Sequence, residues 1–419
     1  MVTAVPPPSR ATASTTTPPP SPSPSPPSPR ASRVPSSPVP SSPVPSSRVP
    51  AVRHLGPQWY ASVMGTSVVA TAGVALPWQP PGLRTVCAAV WALSLLLLLT
   101  LLAARSLHWL HHRDQARAHL LDPAVAPFYG CAAMALVAVG GGAVTVGRDW
   151  IGTRAAVALD VVLFTAGTAV ALAAAVGVPY LMAVRHRVGP GQAVPGWLLP
   201  LVAPMVSAAL GPLLVPYLPA GPPRETLLLA CLALFGLSLL ATLLMLPLVF
   251  GRLLVAGPLP LALTPSLFLV LGPLGQSTTA VGNFADVAPG AVPSRLAEGF
   301  AVLAVLYGVP VMGFALLWLC LATAHVVRAR RHGMGFSMTW WSFTFPVGTC
   351  VTGAAALARH TGPAGYDGLA LVLYGVLVAA WAVACTGTAR ELRETVRGAG
   401  LSGPAGPVPP RCVRPPRPR

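Results

Sequence analysis

The chain has 419 residues, 54% of them apolar and only 9% charged, with a mean hydropathy of +0.67. Soluble domains carry about 25% charged residues, so this composition excludes a soluble enzyme. All 27 basic residues are arginine, which argues against a Walker A ATPase and against Schiff-base chemistry, since both need a lysine. The net charge of +17 lies in loops and tails, so it reads as membrane topology, and no nucleic-acid partner is expected.

Residues 1–53 are rich in Pro, Ser, Thr and Arg, with Val-Pro-Ser-Ser-Pro repeated at 34–38 and 39–43. Such a sequence has nothing to bury, and it is expected to be a disordered cytoplasmic tail. It contains no apolar run of the kind a signal peptide needs. Ten apolar spans follow, at about 58–77, 84–104, 128–147, 155–182, 197–217, 226–251, 263–285, 297–326, 336–358 and 368–388. Each has the length that a hydrocarbon core of roughly 30 Å demands. The expected fold is therefore an all-α integral membrane protein whose domain, residues 54–390, has ten transmembrane helices as five helical hairpins. Residues 391–419 read as a basic, proline-rich cytoplasmic tail.

Charge sets the orientation. Arg84, Arg148, Arg154, Arg224, Arg295 and Arg359 fall on one side of the spans, and the other 21 arginines (27 less these six) fall on the opposite side. The positive-inside rule then places both termini in the cytoplasm of a multi-pass plasma-membrane protein. The odd-numbered spans carry most of the helix breakers: Gly65, Gly140-Gly141-Gly142, Pro204 with Pro212, Gly272-Pro273 with Gly275, and Pro346. Broken backbone in a bilayer is tolerated only where protein or a water-filled cavity covers it. The odd spans are thus expected to line a central pore and the even spans to face lipid.

Two stretches carry the candidate site. In span seven, Gly272, Pro273 and Gly275 open the backbone, and Gln276, Ser277, Thr278 and Thr279 offer neutral hydrogen-bond donors. The competing reading is helix–helix adhesion by small polar residues. In span nine, Phe345 precedes Pro346, with Ser342, Thr344, Thr349 and Thr352 around it. The positive edge of an aromatic ring tolerates an anion, and its bulk can plug a narrow passage. No ring of carboxylates favours a cation. A path of hydroxyls, backbone dipoles and a ring edge suits a small anionic substrate. Asp160, with Arg154 six residues before it, reads as either a functional acid or an interfacial ion pair.

His108, His111, His112 and His119 cluster in one loop. Their spacing allows a metal, but arginines intervene and no cysteine joins them, so no metal or cofactor is expected. Six of the seven cysteines, Cys87, Cys131, Cys231, Cys320, Cys350 and Cys385, fall in apolar spans as small hydrophobes. The histidine loop also supports an alternative from another class, a membrane-embedded acyl- or prenyl-transferase, with only Asp114 and Asp122 as carboxylate partners.

The pattern Trp-Trp-Ser-Phe-Thr-Phe-Pro at 340–346 resembles the ninth helix of plant slow-type anion channels and bacterial tellurite-resistance channel proteins. Gly-Pro-Leu-Gly-Gln-Ser at 272–277 and Trp-Leu-Leu-Pro-Leu-Val-Ala-Pro-Met-Val at 197–206 are similar to fungal malate and sulfite transporters of the same superfamily. The stretch from Trp59 to Thr66 resembles its first helix. The resemblance, to the tellurite-resistance/dicarboxylate transporter family, covers about 55–390. It implies five hairpins around a pore, often in a homotrimer. It implies transport of C4-dicarboxylates, sulfite or inorganic anions, and a gating phenylalanine at Phe345. Gly65, Thr66, Pro204, Gly272, Pro273, Gly275, Gln276, Ser277, Thr279, Pro346 and Thr349 are the expected lining. Span one departs from the pattern in having Ser62-Val63 before Met64.

Overall fold

The computed structural model describes residues 55–185, 189–362 and 364–401. The expected tail at 1–53, and the part of the C-terminal tail after 401, lie outside the described residues. The described residues contain helices and no strand. In chain order the helices are α1 (Tyr60–Val74), α2 (Leu83–His111), a short α3 (Arg113–Leu121), α4 (Tyr129–Gly142), α5 (Thr153–Val184), α6 (Leu198–Leu210), α7 (Pro222–Ala256), α8 (Leu271–Val287), α9 (Ser294–Arg331), α10 (Phe345–Thr361) and α11 (Ala364–Leu401). The last runs past the expected boundary at 390. Among the described residues, seven stretches are long and apolar enough to cross a membrane: α2, α5, α7, α9, most of α11, and the segments Ala126–Ile151 and Pro195–Tyr217 around α4 and α6.

Burial separates two populations. In Ala126–Ile151 and Pro195–Tyr217, 89% of the most apolar window is buried inside the protein, against 22–33% for the five long helices. Helices α1, α8 and α10 are buried along nearly their whole length as well. The long helices turn one stripe inward and leave leucines and valines exposed, such as Leu244, Val255 and Leu306. These apolar faces are left uncovered by the rest of the chain. The five inner segments touch one another in the order α1, α4, α6, α8, α10 and back to α1, so they close a ring.

Each long helix ties itself to that ring through a side-chain hydrogen bond. Trp91 Nε1 of α2 donates to the Val139 carbonyl at 3.0 Å, and Thr168 Oγ1 of α5 donates to Ser207 Oγ at 2.9 Å. Ser238 Oγ of α7 reaches the Leu201 carbonyl at 2.6 Å, and Trp318 Nε1 of α9 the Leu267 carbonyl at 2.9 Å. Trp381 Nε1 of α11 donates to Thr66 Oγ1 of α1 at 3.1 Å, joining the last hairpin to the first. Interhelical bonds of this kind average about 0.6 kcal/mol in a bilayer, so they set register more than they stabilise.

Four of the five hairpins turn through a glycine of positive φ. Gly82, Gly152, Gly221 and Gly362 each connect an inner segment to its long helix at φ of 85°, 79°, 94° and 76°, a left-handed backbone that a Cβ disfavours. The inner segments also start alike, each through a 3-10 turn: Pro57–Trp59, Ala126–Phe128, Pro195–Trp197, Leu261–Val270 and Met338–Phe343. This revises the reading of two prolines as mid-span breaks. Pro273 is the third residue of α8 and Pro346 the second of α10. The first N–H groups of a helix have no intrahelical acceptor, so proline is at home there. The run Gly140–Gly142 ends α4 at a π turn, Ala143–Gly147. Asp160 makes no ion pair with Arg154: it is buried in α5, its Oδ2 lacks a partner, and Arg154 is exposed.

Candidate functional site

Inside the ring, two cavities lie toward opposite ends of the inner segments. The C-terminal halves of all five line a polar vestibule of about 400 Å³, whose walls include Thr71, Thr145, Tyr217, Gln276, Asn283 and Thr352. Their N-terminal ends line a second vestibule of about 310 Å³, walled chiefly by apolar and aromatic groups such as Met64, Phe128, Leu263, Met338 and Trp341. Between them is a gap of about 10 Å³ among Met64, Met134, Leu199, Leu269, Gly272 and Phe345. That is at the lower limit of the room that holds one water. Met64, Leu199 and Leu269 wall both the gap and the apolar vestibule. On the other side, Phe345 is the one described residue that walls both the gap and the polar vestibule. Phe345 is 4% exposed. It is held at the first turn of α10, where the 3-10 run Met338–Phe343 passes into the helix.

The polar vestibule carries charge at its mouth. Arg84 binds Asp149 through two contacts, Nη2 to Oδ1 at 3.0 Å being one. Arg359 Nη2 binds Asp286 Oδ2 at 2.8 Å, and His360 Nε2 lies 3.1 Å from Asp286 Oδ1. Arg148 has no carboxylate partner among the described residues and reaches only the Tyr217 hydroxyl, at 3.5 Å. Three arginines against two carboxylates leave the mouth net positive, and a protonated His360 would add to that charge. A cleft of one sign raises the local concentration of counter-ions, so this mouth favours anions.

Below the mouth, one face of α8 presents Gln276, Thr279, Asn283 and Asp286 to the vestibule, spaced i, i+3, i+7 and i+10 as a helical stripe requires. The neighbouring hydroxyls are largely committed. Thr279 Oγ1 lies 2.7 Å from Thr352 Oγ1 and 3.0 Å from the Gly275 carbonyl, and Thr352 Oγ1 is also 3.0 Å from the Thr349 carbonyl. Asn283 Nδ2 donates to the Ala209 carbonyl at 2.8 Å. Gln276, 4% exposed, makes no hydrogen bond to any described residue.

The residues expected from the sequence divide accordingly. Phe345, Gln276 and Thr279 face the polar vestibule, and Phe345, Pro346 and Gly272 wall the gap. The others sit elsewhere. A Cβ on Gly275 would come within 2.5 Å of the Cys350 amide and Thr349 carbonyl carbon, so Gly275 lets α8 and α10 approach closely. Thr349 Oγ1 donates to the Pro346 carbonyl at 2.7 Å within that contact. Gly65 abuts Thr344 and Trp341. Thr66 donates to the Ser62 carbonyl at 2.7 Å, and Pro204 is buried within α6. Pro273 and Ser277 line a separate apolar crevice of about 280 Å³ beside Leu243 and Phe314. Ser277 and Thr278 both donate to the Leu274 carbonyl, at 3.0 and 2.9 Å, a local bond that removes them as donors to a ligand.

Sequence reasoning missed the apolar collar of Met64, Met134, Leu199 and Leu269, and the mouth residues Arg148, Asp286 and Arg359. The α8 stripe was visible as a spacing. The collar had no signal, because its members come from four segments. The histidine loop holds no metal-binding cluster among the described residues. Instead His108 is fully buried and stacks on His119 at 5.5 Å.

Residues 54–389 match the family described as SLAC1, voltage-dependent anion channel. The chain is 26% identical over 345 residues to the sulfite efflux pump SSU1 of Arthroderma otae, covering 79% of this chain and 88% of that protein. The same identity and coverage hold for the sulfite efflux pump SSU1 of Trichophyton rubrum. An uncharacterized transporter of Methanocaldococcus jannaschii, MJ0576, is 25% identical over 346 residues, covering 81% of this chain and 94% of the relative.

Proposed function

This chain belongs to the SLAC1 voltage-dependent anion channel family, and we propose that it exports a small oxyanion of the sulfite class through the two vestibules, with Phe345 as the plug. The single observation that supports this most is the position of Phe345, whose ring walls both the polar vestibule and the 10 Å³ gap. The net positive mouth supports an anion, and relatives that are sulfite efflux pumps support sulfite. The apolar collar beyond the ring would dewet when narrow, which stops ions without any fixed charge.

In this reading all five inner segments cross the membrane along with the long helices, giving ten crossings, and both termini lie in the cytoplasm. Helices α1, α8 and α10 are short, of 15, 17 and 17 residues, because each crossing begins in the 3-10 run before the helix. An inside-negative potential favours anion exit by about 2.3 kcal/mol per charge per 100 mV, so efflux needs no ATP. The test is sulfite release from proteoliposomes under a clamped potential. Release above protein-free liposomes, faster when the compartment holding sulfite is negative, is the expected result. No release of sulfite, nitrate or chloride at any potential would overturn the reading.

A further inference from the structure

Gln276 is a polar side chain left open in a site that satisfies its neighbours. It is 96% buried (100 − 4) and lines the same vestibule as Phe345. Its amide has two N–H donors and one acceptor oxygen, with no protein partner for any of them among the described residues. Its amide atoms are not sealed off from the vestibule, so they are open to whatever arrives there.

The nearby hydroxyls decide what can arrive. Thr279 and Thr352 own two hydroxyl hydrogens between them. Their 2.7 Å contact takes one, and the carbonyls of Gly275 and Thr349 compete for the other. The pair therefore turns lone pairs, not hydrogens, toward the vestibule. Beside them stands the Gln276 carbonyl oxygen, a further acceptor on the same helix face. A bare anion such as nitrate or chloride would find the two amide N–H groups but would also meet oxygen lone pairs. An oxyanion that still carries a proton satisfies both sets: its charged oxygens accept from the amide nitrogen, and its own O–H donates to Oε1 or to the threonine pair.

We propose that Gln276, with Thr279 and Thr352, forms a docking site for a protonated oxyanion, hydrogen sulfite being the probe, immediately before the Phe345 constriction. This rests on the anion-export reading and names the form of substrate it selects. The site is chemical, not steric, so it discriminates by hydrogen-bond pattern where nitrate and hydrogen sulfite are similar in size.

The experiment measures sulfite and nitrate fluxes in proteoliposomes as pH is lowered at fixed total sulfite. For the unaltered chain, sulfite flux should rise with the hydrogen-sulfite fraction, and nitrate flux should stay at least several-fold lower. Gln276→Leu should cut hydrogen-sulfite flux about tenfold, roughly 1.4 kcal/mol, and nitrate flux, which loses only the amide donors, by a several-fold smaller factor. Thr279→Val should lower the ratio of hydrogen-sulfite to nitrate flux several-fold. Gln276→Met, of nearly the same length and without the amide, serves if the leucine variant fails to fold. Equal loss of both anions in the Gln276 variants, or sulfite flux that follows the fully deprotonated ion, would overturn the proposal while leaving anion export intact. Absence of any flux in the unaltered protein would instead overturn the export reading itself.

Discussion

The outward and inward faces of the helices use glycine for opposite purposes. On the outward face of the long helices, Gly177, Gly236, Gly251, Gly299 and Gly313 have open space where a Cβ would stand, whereas Gly167 and Gly308 on the inward face would press a Cβ against Val137 and Leu357. On the ring, Gly130 would push a Cβ within 2.5 Å of the Leu199 carbonyl oxygen, and Gly275 within 2.5 Å of the α10 backbone. Glycine in the ring thus sets how closely helices approach, while on the lipid side it sets nothing. Gly272 is the informative exception. It belongs to the ring, yet nothing lies within 4 Å of its ideal Cβ, because it faces the gap beside Phe345. Packing and pathway are therefore distinguished within one turn of α8.

The comparison breaks most visibly at Gly275. Gly275→Leu should abolish folded protein, because the α10 backbone cannot retreat and overpacking on this scale exceeds the usual 1–3 kcal/mol. Size-exclusion chromatography of the detergent-extracted protein should show aggregate; a monodisperse peak with normal flux would remove Gly275 from the helix contact. Three residues earlier the outcome should differ in kind. Gly272→Ala should leave the elution profile and thermal unfolding unchanged while lowering sulfite flux about tenfold, a barrier of roughly 1.4 kcal/mol. Loss of fold there would mean that the gap is ordinary packing. The smallest effect belongs to the outer surface. Gly313→Ala in α9 should raise stability by about 0.4–1 kcal/mol through reduced chain entropy and leave transport untouched. A measurable destabilisation would show that a neighbour covers this face.

Much of this plan was legible in the chain. Apolar runs of bilayer length marked the segments, and the concentration of Gly and Pro in alternate runs separated those that need protein cover from those that face lipid. Phase was harder. Gly272 and Gly275 lie three residues apart, and only the position of α10 tells which one meets a backbone and which a cavity. Pro273 and Pro346 read as breaks because a 3-10 run leading into a helix has no distinct hydropathy signature. Arg154 and Asp160 read as neighbours in sequence, but a separation of six residues puts them about 240° apart around a helix. The hydroxyls of Ser277, Thr278 and Thr349 read as ligand donors because composition cannot reveal that a carbonyl one turn earlier has already taken the hydrogen.

The most direct test of the account is Phe345→Ala. The ring has the 400 Å³ polar vestibule on one side and the gap on the other, so its loss joins the two without dismantling a core. The measurement is sulfite flux per folded protein in proteoliposomes, with thermal unfolding recorded on the same preparation. Basal flux should rise several-fold, and the loss of stability should fall short of the 3–5 kcal/mol typical of a buried Phe→Ala change. Unchanged flux in a folded variant, or a stability loss of the full core magnitude, would contradict the assignment of Phe345 as the plug.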